Sequence, residues 1–360
     1  MRKVKVGIVG CGGIANGKHM PALKHLDNVE MVAFCDLIPE RAQQAAAEYG
    51  AAGARVTTDY RELLAMPEVE VVHVLTPNKW HAPITVAALD AGKHVMCEKP
   101  MAIDYAGAKS MMEAAERNQK LLTIGYQSRH KPESIYLKRM IEDGDLGEIY
   151  FAKAKCIRRR GVPTWGVFLD AEQQGGGPLI DIATHALDLT LWLMDNYKPK
   201  MVVGNAFRKL AEHEGSANPW GSWDPKEFTV EDSGFGYITF ENGAVVMLEC
   251  SWALNTLESE ADGMTVLCGT KAGADMKGGL RINGEKNGRL YVTEPDFSAG
   301  GVDFYEGAAL PPHFREIEVW IRAVAEGTPL VTLPEQAATV TRILGAIYES
   351  SQTGKPVFFD

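Results

Sequence analysis

Lys99 stands in Glu98-Lys99-Pro100, and Asp181 and His185 stand in Gly175-Gly176-Gly177-Pro178-Leu179-Ile180-Asp181-Ile182-Ala183-Thr184-His185. An amine, a carboxylate and an imidazole are groups that hold and move protons in enzyme sites. A glycine loop leads into a predicted helix over 178–194, on which Asp181 and His185 are i and i+4 and share one face. Asp188, three residues past His185, lies near that face. Ionisable groups on an otherwise apolar helix are costly unless paired or used. A satisfied structural network and a working site both account for Asp181 and His185; for Asp188 the structural role fits better. Taken alone, Glu98-Lys99 reads as an idle surface pair.

The start of the chain gives these groups something to act on. A β-rich run over 4–9 leads into Gly10-Cys11-Gly12-Gly13-Ile14-Ala15, which opens a predicted helix over 14–26. Gly10 allows a tight strand-to-helix turn, and Gly12 lets a pyrophosphate approach the backbone. Gly13 and Ile14 stand where the helix N-terminus offers unpaired N–H groups to phosphate, and the small Ala15 lets the helix pack on the strand. Asp36 ends the next strand and suits the adenosine ribose hydroxyls; it would repel a 2′-phosphate, which favours NAD over NADP. An N-cap for the helix opening at Pro39 is the plainer role for Asp36. Thr76-Pro77-Asn78 and His81 follow the third clear strand at a carboxyl end, where open sheets collect ligands. A turn and a helix cap explain them equally. Glu98 pairs either with Lys99 or with cofactor hydroxyls.

The elements behind these residues alternate strand and helix up to about residue 125. Strands are expected over 4–9, 29–35, 69–75, 94–97 and 121–125. Helices are expected over 14–26, 39–50, 82–91 and 104–118, with Asp104 as N-cap. This rhythm implies a doubly wound parallel sheet. After residue 128 it changes. Helices are expected over 132–143 and 178–194, a strand over 148–159, and mostly strands after Lys200. Glu241-Asn242-Gly243 and Asn287-Gly288 mark hairpins. Residues 211–226 read as a long loop, and late helices fall over 314–326 and 335–351. The expected division is a dinucleotide-binding domain over 1–128 and an α+β domain with a large, mostly antiparallel open sheet over 129–360, the latter holding substrate and the oligomer contact.

The 360 residues carry 46% hydrophobic and 23% charged side chains and a net charge of −10, an ordinary globular balance with no general attraction for nucleic acid or anionic membrane. The six cysteines show no CxxC pairing and lie in apolar runs, which reads as reduced thiols in a cytoplasmic setting with no zinc site. Met1-Arg2-Lys3-Val4-Lys5 imitates a secretory leader, but the apolar run behind it is the first strand of the cofactor site.

The motifs Gly10-Cys11-Gly12-Gly13-Ile14-Ala15, Thr76-Pro77-Asn78 with His81, Glu98-Lys99-Pro100 and the glycine loop leading to Asp181 and His185 together resemble the glucose–fructose oxidoreductase/inositol dehydrogenase/MocA family over most of the chain. The resemblance implies an N-terminal Rossmann domain, a C-terminal α+β domain whose open sheet forms a homodimer or homotetramer, and NAD(P)-dependent oxidation of sugars or inositols. It implies that His185 is the general base, that Lys99 hydrogen-bonds the reacting oxygen, and that Asp181 orients substrate hydroxyls or the histidine. On the substrate side, Gln127 and Arg129 follow the last Rossmann strand. Arg158 and Arg160 would share a strand face, from which one reaches substrate. Trp165 suits stacking on a sugar ring or ordinary packing. A glycosidase using transient NAD-dependent oxidation is a second reading. A non-catalytic dinucleotide or sugar sensor is a third, disfavoured because a sensor needs no base beside a lysine.

Overall fold

In the computed structural model, residues 2–258, 260–297 and 310–359 are described. The β-branched runs of the first third form β1 (Val4–Val9), β2 (Val29–Cys35), β3 (Arg55–Thr57), β4 (Val71–Val74), β5 (His94–Glu98) and β6 (Leu122–Gly125). They pair in the order β3-β2-β1-β4-β5-β6, all in parallel. The order reverses between β1 and β4, so the ligand crevice of such a sheet lies beyond the carboxyl ends of those strands. β4 is buried at every position and β1 at all but Lys5, as its continuous apolar run requires of a strand covered on both faces. β3 and the helix after it escaped the sequence pattern because Arg55 and Val56 are exposed, leaving no apolar run.

The connecting helices are α1 (Met20–Lys24), α2 (Pro39–Tyr49), α3 (Tyr60–Leu64), α4 (His81–Asp90) and α5 (Tyr105–Asn118). Asp104 caps α5, its Oδ1 accepting from Gly107 N at 2.7 Å. The helix expected over 14–26 is broken into a π-helical turn, Ala15–His19, and the short α1.

Contacts divide the chain into two compact units, Met1–His130 with Leu310–Ala338, and Lys131–Ala309 with Thr339–Asp360. In the first, the helix Pro312–Glu326 lays Ile317, Trp320 and Ile321 into the core formed by Val4, Ile8, Met20 and Phe34. Burying such side chains contributes about 1.5–3 kcal/mol each, which holds a segment so distant in sequence against β1 and β2.

The second unit is built on nine strands: β7 (Ile149–Ile157), β8 (Pro199–Phe207), β9 (Ser233–Phe240), β10 (Val245–Ser251), β11 (Glu260–Gly269), β12 (Ala272–Asp275), β13 (Arg281–Lys286), β14 (Arg289–Thr293) and β15 (Val357–Phe358). Their order is β14-β13-β12-β11-β7-β10-β9-β8-β15, antiparallel throughout except for β7 with β10. The expected hairpins are present: Gly243 turns β9 into β10 at φ +86°, and Asn287 and Gly288 both take positive φ between β13 and β14. The helices of this unit are α6 (Pro132–Glu142), α7 (Ala171–Gln174) and α8 (Thr184–Met194), together with most of the helix Pro334–Thr353. Leu187 and Leu191 of α8 and Ile343 and Ile347 of the last helix share a core with Val246 and Leu248 of the sheet. A π-helical turn, Leu179–Ala183, leads into α8. Residues 211–226 carry neither helix nor strand.

Candidate active site

In the first unit the glycine turn lies at the carboxyl end of β1. Gly10 has φ +94°, and a Cβ there would stand 2.6 Å from the Leu75 carbonyl oxygen, so the turn admits no side chain. At Gly12 and Gly13 an added Cβ would meet nothing within 4 Å, which leaves an open cradle over the start of the π-helical turn. Asp36 closes one side. Its Oδ2 accepts from Cys11 N at 2.8 Å and its Oδ1 from Ile38 N at 2.9 Å. Each carboxylate oxygen keeps a second lone pair, so these bonds are compatible with ribose hydroxyl donors. Ile38, not Asp36, is the N-cap of α2. The cradle and the acidic strand end fit a dinucleotide without a 2′-phosphate.

A buried polar chain runs behind this cradle. His73 Nδ1 lies 3.0 Å from His19 Nδ1, and His19 Nε2 lies 2.9 Å from Glu98 Oε1. A carboxylate only accepts, so His19 carries its proton on Nε2 toward Glu98. The other oxygen, Oε2, accepts from Lys99 N at 3.1 Å. Burial pushes the Glu98 pKa up, but the His19 imidazole and the ammonium groups of Lys99 and Lys18 outweigh it and hold it at about 2. Burial drives the His73 pKa well below the ordinary histidine range. Glu98 is thus an anion beside Lys99, which is half-buried at the end of β5. His81 Nδ1 lies 2.7 Å from the Pro100 carbonyl oxygen and Nε2 2.9 Å from that of Thr76. Burial lowers its pKa, and a neutral imidazole has one N–H, so the ring donates to one of these carbonyls and packs beside the other, between the turns after β4 and β5.

In the second unit Asp181 lies in the π-helical turn and His185 in the first turn of α8, both half-buried. Asp181 Oδ2 accepts from Trp252 Nε1 at 3.2 Å. The glycine loop before them is clamped by Glu231, whose Oε2 accepts from Gly177 N at 2.8 Å and Oε1 from Leu179 N at 3.0 Å and from the Tyr348 hydroxyl at 2.8 Å. Gly177 admits no side chain: a Cβ there would meet the Glu231 carbonyl oxygen at 2.2 Å. Asp188 is fully buried in α8.

Two family profiles match the chain. The oxidoreductase family with an NAD-binding Rossmann fold, GFO/IDH/MocA, covers residues 4–126, and the GFO/IDH/MocA C-terminal domain covers 135–275. The chain belongs to this family. Among curated relatives, the D-glucoside 3-dehydrogenase of Escherichia coli strain K12 is 36% identical over 98% of this chain and 97% of that protein. The inositol 2-dehydrogenase of Salmonella typhimurium is 32% identical over 54% of this chain and 56% of that protein. Among solved structures, levoglucosan dehydrogenase in complex with NADH and L-sorbose has a TM-score of 0.85 at 22% identity, covering 100% of both chains, a likeness of fold. The first unit of this GFO/IDH/MocA oxidoreductase is accordingly its NAD-binding unit.

The remaining residues singled out by sequence fall unevenly. Gln127 Oε1 accepts from Lys18 Nζ at 3.1 Å, beside the π-helical turn. Arg129 is 1% exposed and donates to the Val331 carbonyl at 2.9 Å and to Gln336 at 2.6 Å, which uses it to bind the returning segment. Asn78 is buried at the head of a short 3-10 turn, and Thr76 precedes it. Arg158 and Trp165 lie in the second unit, Arg158 with its guanidinium over Trp220. Sequence reasoning missed His19, His73, Trp252 and Glu231. His19 stands one helical turn after Ala15 and was open to discovery as a polar residue on a packed face; the other three meet their partners only through the tertiary fold.

Proposed function

We propose that this enzyme oxidises a secondary hydroxyl of a sugar, glycoside or inositol with NAD. The observation that carries this reading is the likeness, along nearly the whole chain, to a protein named as a D-glucoside dehydrogenase. NAD supplies the hydride-accepting carbon when bound. Gly10, Gly12, Gly13 and Ile14 hold its pyrophosphate, Asp36 its adenosine ribose, and Thr76, Asn78 and Glu98 the nicotinamide half, with His81 fixing their turns. His185 takes the proton of the substrate hydroxyl, a task suited to an imidazole near neutral pH. Lys99 donates a hydrogen bond to the same oxygen and stabilises the negative charge that develops there. Asp181, held by Trp252, accepts from neighbouring substrate hydroxyls. Gln127 offers a further polar contact.

The protein acts in the cytoplasm, a reading supported by six free cysteines, five of them buried. It assembles as a homodimer or homotetramer through the nine-stranded sheet. Across that sheet Val203 faces Tyr237 and Tyr237 faces Met247, an exposed apolar row on three adjacent strands.

Absorbance of NADH across a panel of sugars, glycosides and inositols tests the activity. Substrate-dependent NADH formation is expected, and Lys99→Ala and His185→Ala each lower turnover by orders of magnitude while NADH binding stays nearly intact. Wild-type turnover in either variant overturns the assignment. Free sugar released without net NADH points to NAD-dependent glycoside cleavage instead.

A further inference from the structure

Two tryptophans of the second unit are large, exposed and rigidly mounted. Trp165 is 52% exposed and Trp220 44%. Their ring centroids are 5.1 Å apart at an interplanar angle of 80°, so they form a corner with one ring standing edge-on to the other. The loop that carries Trp220 is pinned to the segment that carries Trp165. Asn218 Oδ1 accepts from Val162 N at 2.9 Å, and its Nδ2 donates to the Val162 carbonyl at 3.0 Å and to the Gly221 carbonyl at 2.8 Å. The Thr164 hydroxyl donates to the Trp220 carbonyl. Arg158 lies 5.5 Å from the Trp220 ring and donates to the Gly161 carbonyl, which leaves further guanidinium N–H groups of its fork available for hydroxyls.

The corner is continuous with Asp181. Trp165 contacts Phe168 at 5.8 Å between centroids, Phe168 contacts the buried Trp252 at 6.4 Å, and Trp252 Nε1 donates to Asp181 Oδ2. One row of edge-to-face rings thus leads from a carboxylate that meets substrate hydroxyls to an open aromatic corner. Exposed aromatic area costs water-ordering free energy, and a pre-ordered pair recovers it by stacking on a flat apolar partner without loss of side-chain entropy. The apolar C–H face of a pyranose is such a partner, and its hydroxyl rim suits Arg158.

We infer that Trp165 and Trp220 form a second-ring subsite: the enzyme takes glycosides of at least two rings, with the ring that is not oxidised stacked in this corner. This rests on the proposed oxidation of sugars and adds the class of substrate. It separates the enzyme from one that acts on single-ring sugars or inositols.

The test compares substrates that differ only by the second ring: cellobiose against methyl β-D-glucopyranoside, and maltose against methyl α-D-glucopyranoside, by kcat/KM in wild type, Trp220→Ala, Trp165→Ala and Trp220→Phe. The disaccharide of one pair is expected to exceed its methyl glycoside by about tenfold, which is 1.4 kcal/mol. Both alanine variants bring that ratio close to one, and Trp220→Phe, which keeps a ring, retains most of it. The subsite is overturned if the methyl glycosides are oxidised as well as the disaccharides in both pairs. It is equally overturned if the preference survives both alanine variants, or if the corner proves to be an interface, with oligomer size falling in Trp220→Ala and the ratio unchanged. If none of the four is oxidised, the reading as a glycoside dehydrogenase fails and takes the subsite with it.

Discussion

Glu98 shows how one side chain can be held by the fold at the edge of a proposed site. Its side chain is 12% exposed, accepts from His19 and from Lys99 N, and has its pKa held at about 2. A carboxyl whose folded pKa lies below its ordinary 4.5 adds stability above that ordinary value and loses it as pH falls through about 2. His19→Phe removes the donor and leaves a largely buried carboxylate short of a partner, at a cost of about 1–3 kcal/mol at pH 7. Urea unfolding at pH 7 and at pH 3 measures this. The gap between wild type and variant is expected to shrink at the lower pH, because the pairing that wild type loses on acidification is already gone from the variant. A gap independent of pH would mean that His19 acts by packing alone. The same burial argument separates residues that looked alike in the sequence. Lys99 follows β5 directly and Arg129 lies in the 3-10 turn after β6, but Arg129 is 1% exposed and donates to Val331 and Gln336, whereas Lys99 is half-buried beside an anion.

At the scale of elements, both candidate half-sites stand on a π-helical turn that opens a helix: Ala15–His19 with His19 in the first unit, Leu179–Ala183 with Asp181 in the second. Such turns occur often at functional sites, and the first N–H groups of any helix need partners from outside it. In the second unit Glu231 is that partner. Glu231→Ala strands the Gly177 and Leu179 N–H groups and the Tyr348 hydroxyl, and is expected to lower stability by about 3 kcal/mol and turnover more than NADH binding. Glu231→Gln keeps an acceptor and loses less. Thermal unfolding and NADH titration of both variants check this; equal losses in turnover and in NADH binding would contradict it. The helix 178–194 was legible from its apolar residues, and Asp181 and His185 were singled out from their i, i+4 spacing. The π-helical turns were not, because five residues of altered winding leave the apolar pattern nearly unchanged. Glu231 was not legible either, since a carboxylate fifty residues away carries no local sign of the backbone groups it will meet. Hairpins at Gly243 and at Asn287-Gly288 were legible because positive φ selects those residue types directly.

At the scale of the whole molecule, five of the six parallel strands of the first unit could be read from the sequence, since strands covered on both faces are apolar runs, whereas the exposed β3 could not. The return of Pro312–Glu326 to that unit could not, because an amphipathic helix declares a buried face without naming its partner. The nine-stranded sheet carries a similar open question in its alternation. Along β9 one face packs inward, Gly236 against Ile347 and Ile238 in the core, while Tyr237 between them points outward at 44% exposure. Val203 and Met247 flank Tyr237 across the strands at 39% and 38% exposure. A sheet that leaves such a row bare gains about 25 cal/mol for each Å² of apolar area it then covers, and an isologous sheet-to-sheet contact covers it twice by symmetry. Tyr237→Glu places a charge at the centre of that contact without touching the inward face. Sedimentation velocity is expected to find the wild type as a dimer or tetramer and Tyr237→Glu shifted toward monomer, with NADH binding retained because the first unit is unchanged. A wild type that sediments as a monomer, or a variant that keeps the wild-type size, would remove the sheet from the assembly and leave the Val203–Tyr237–Met247 row as solvated surface.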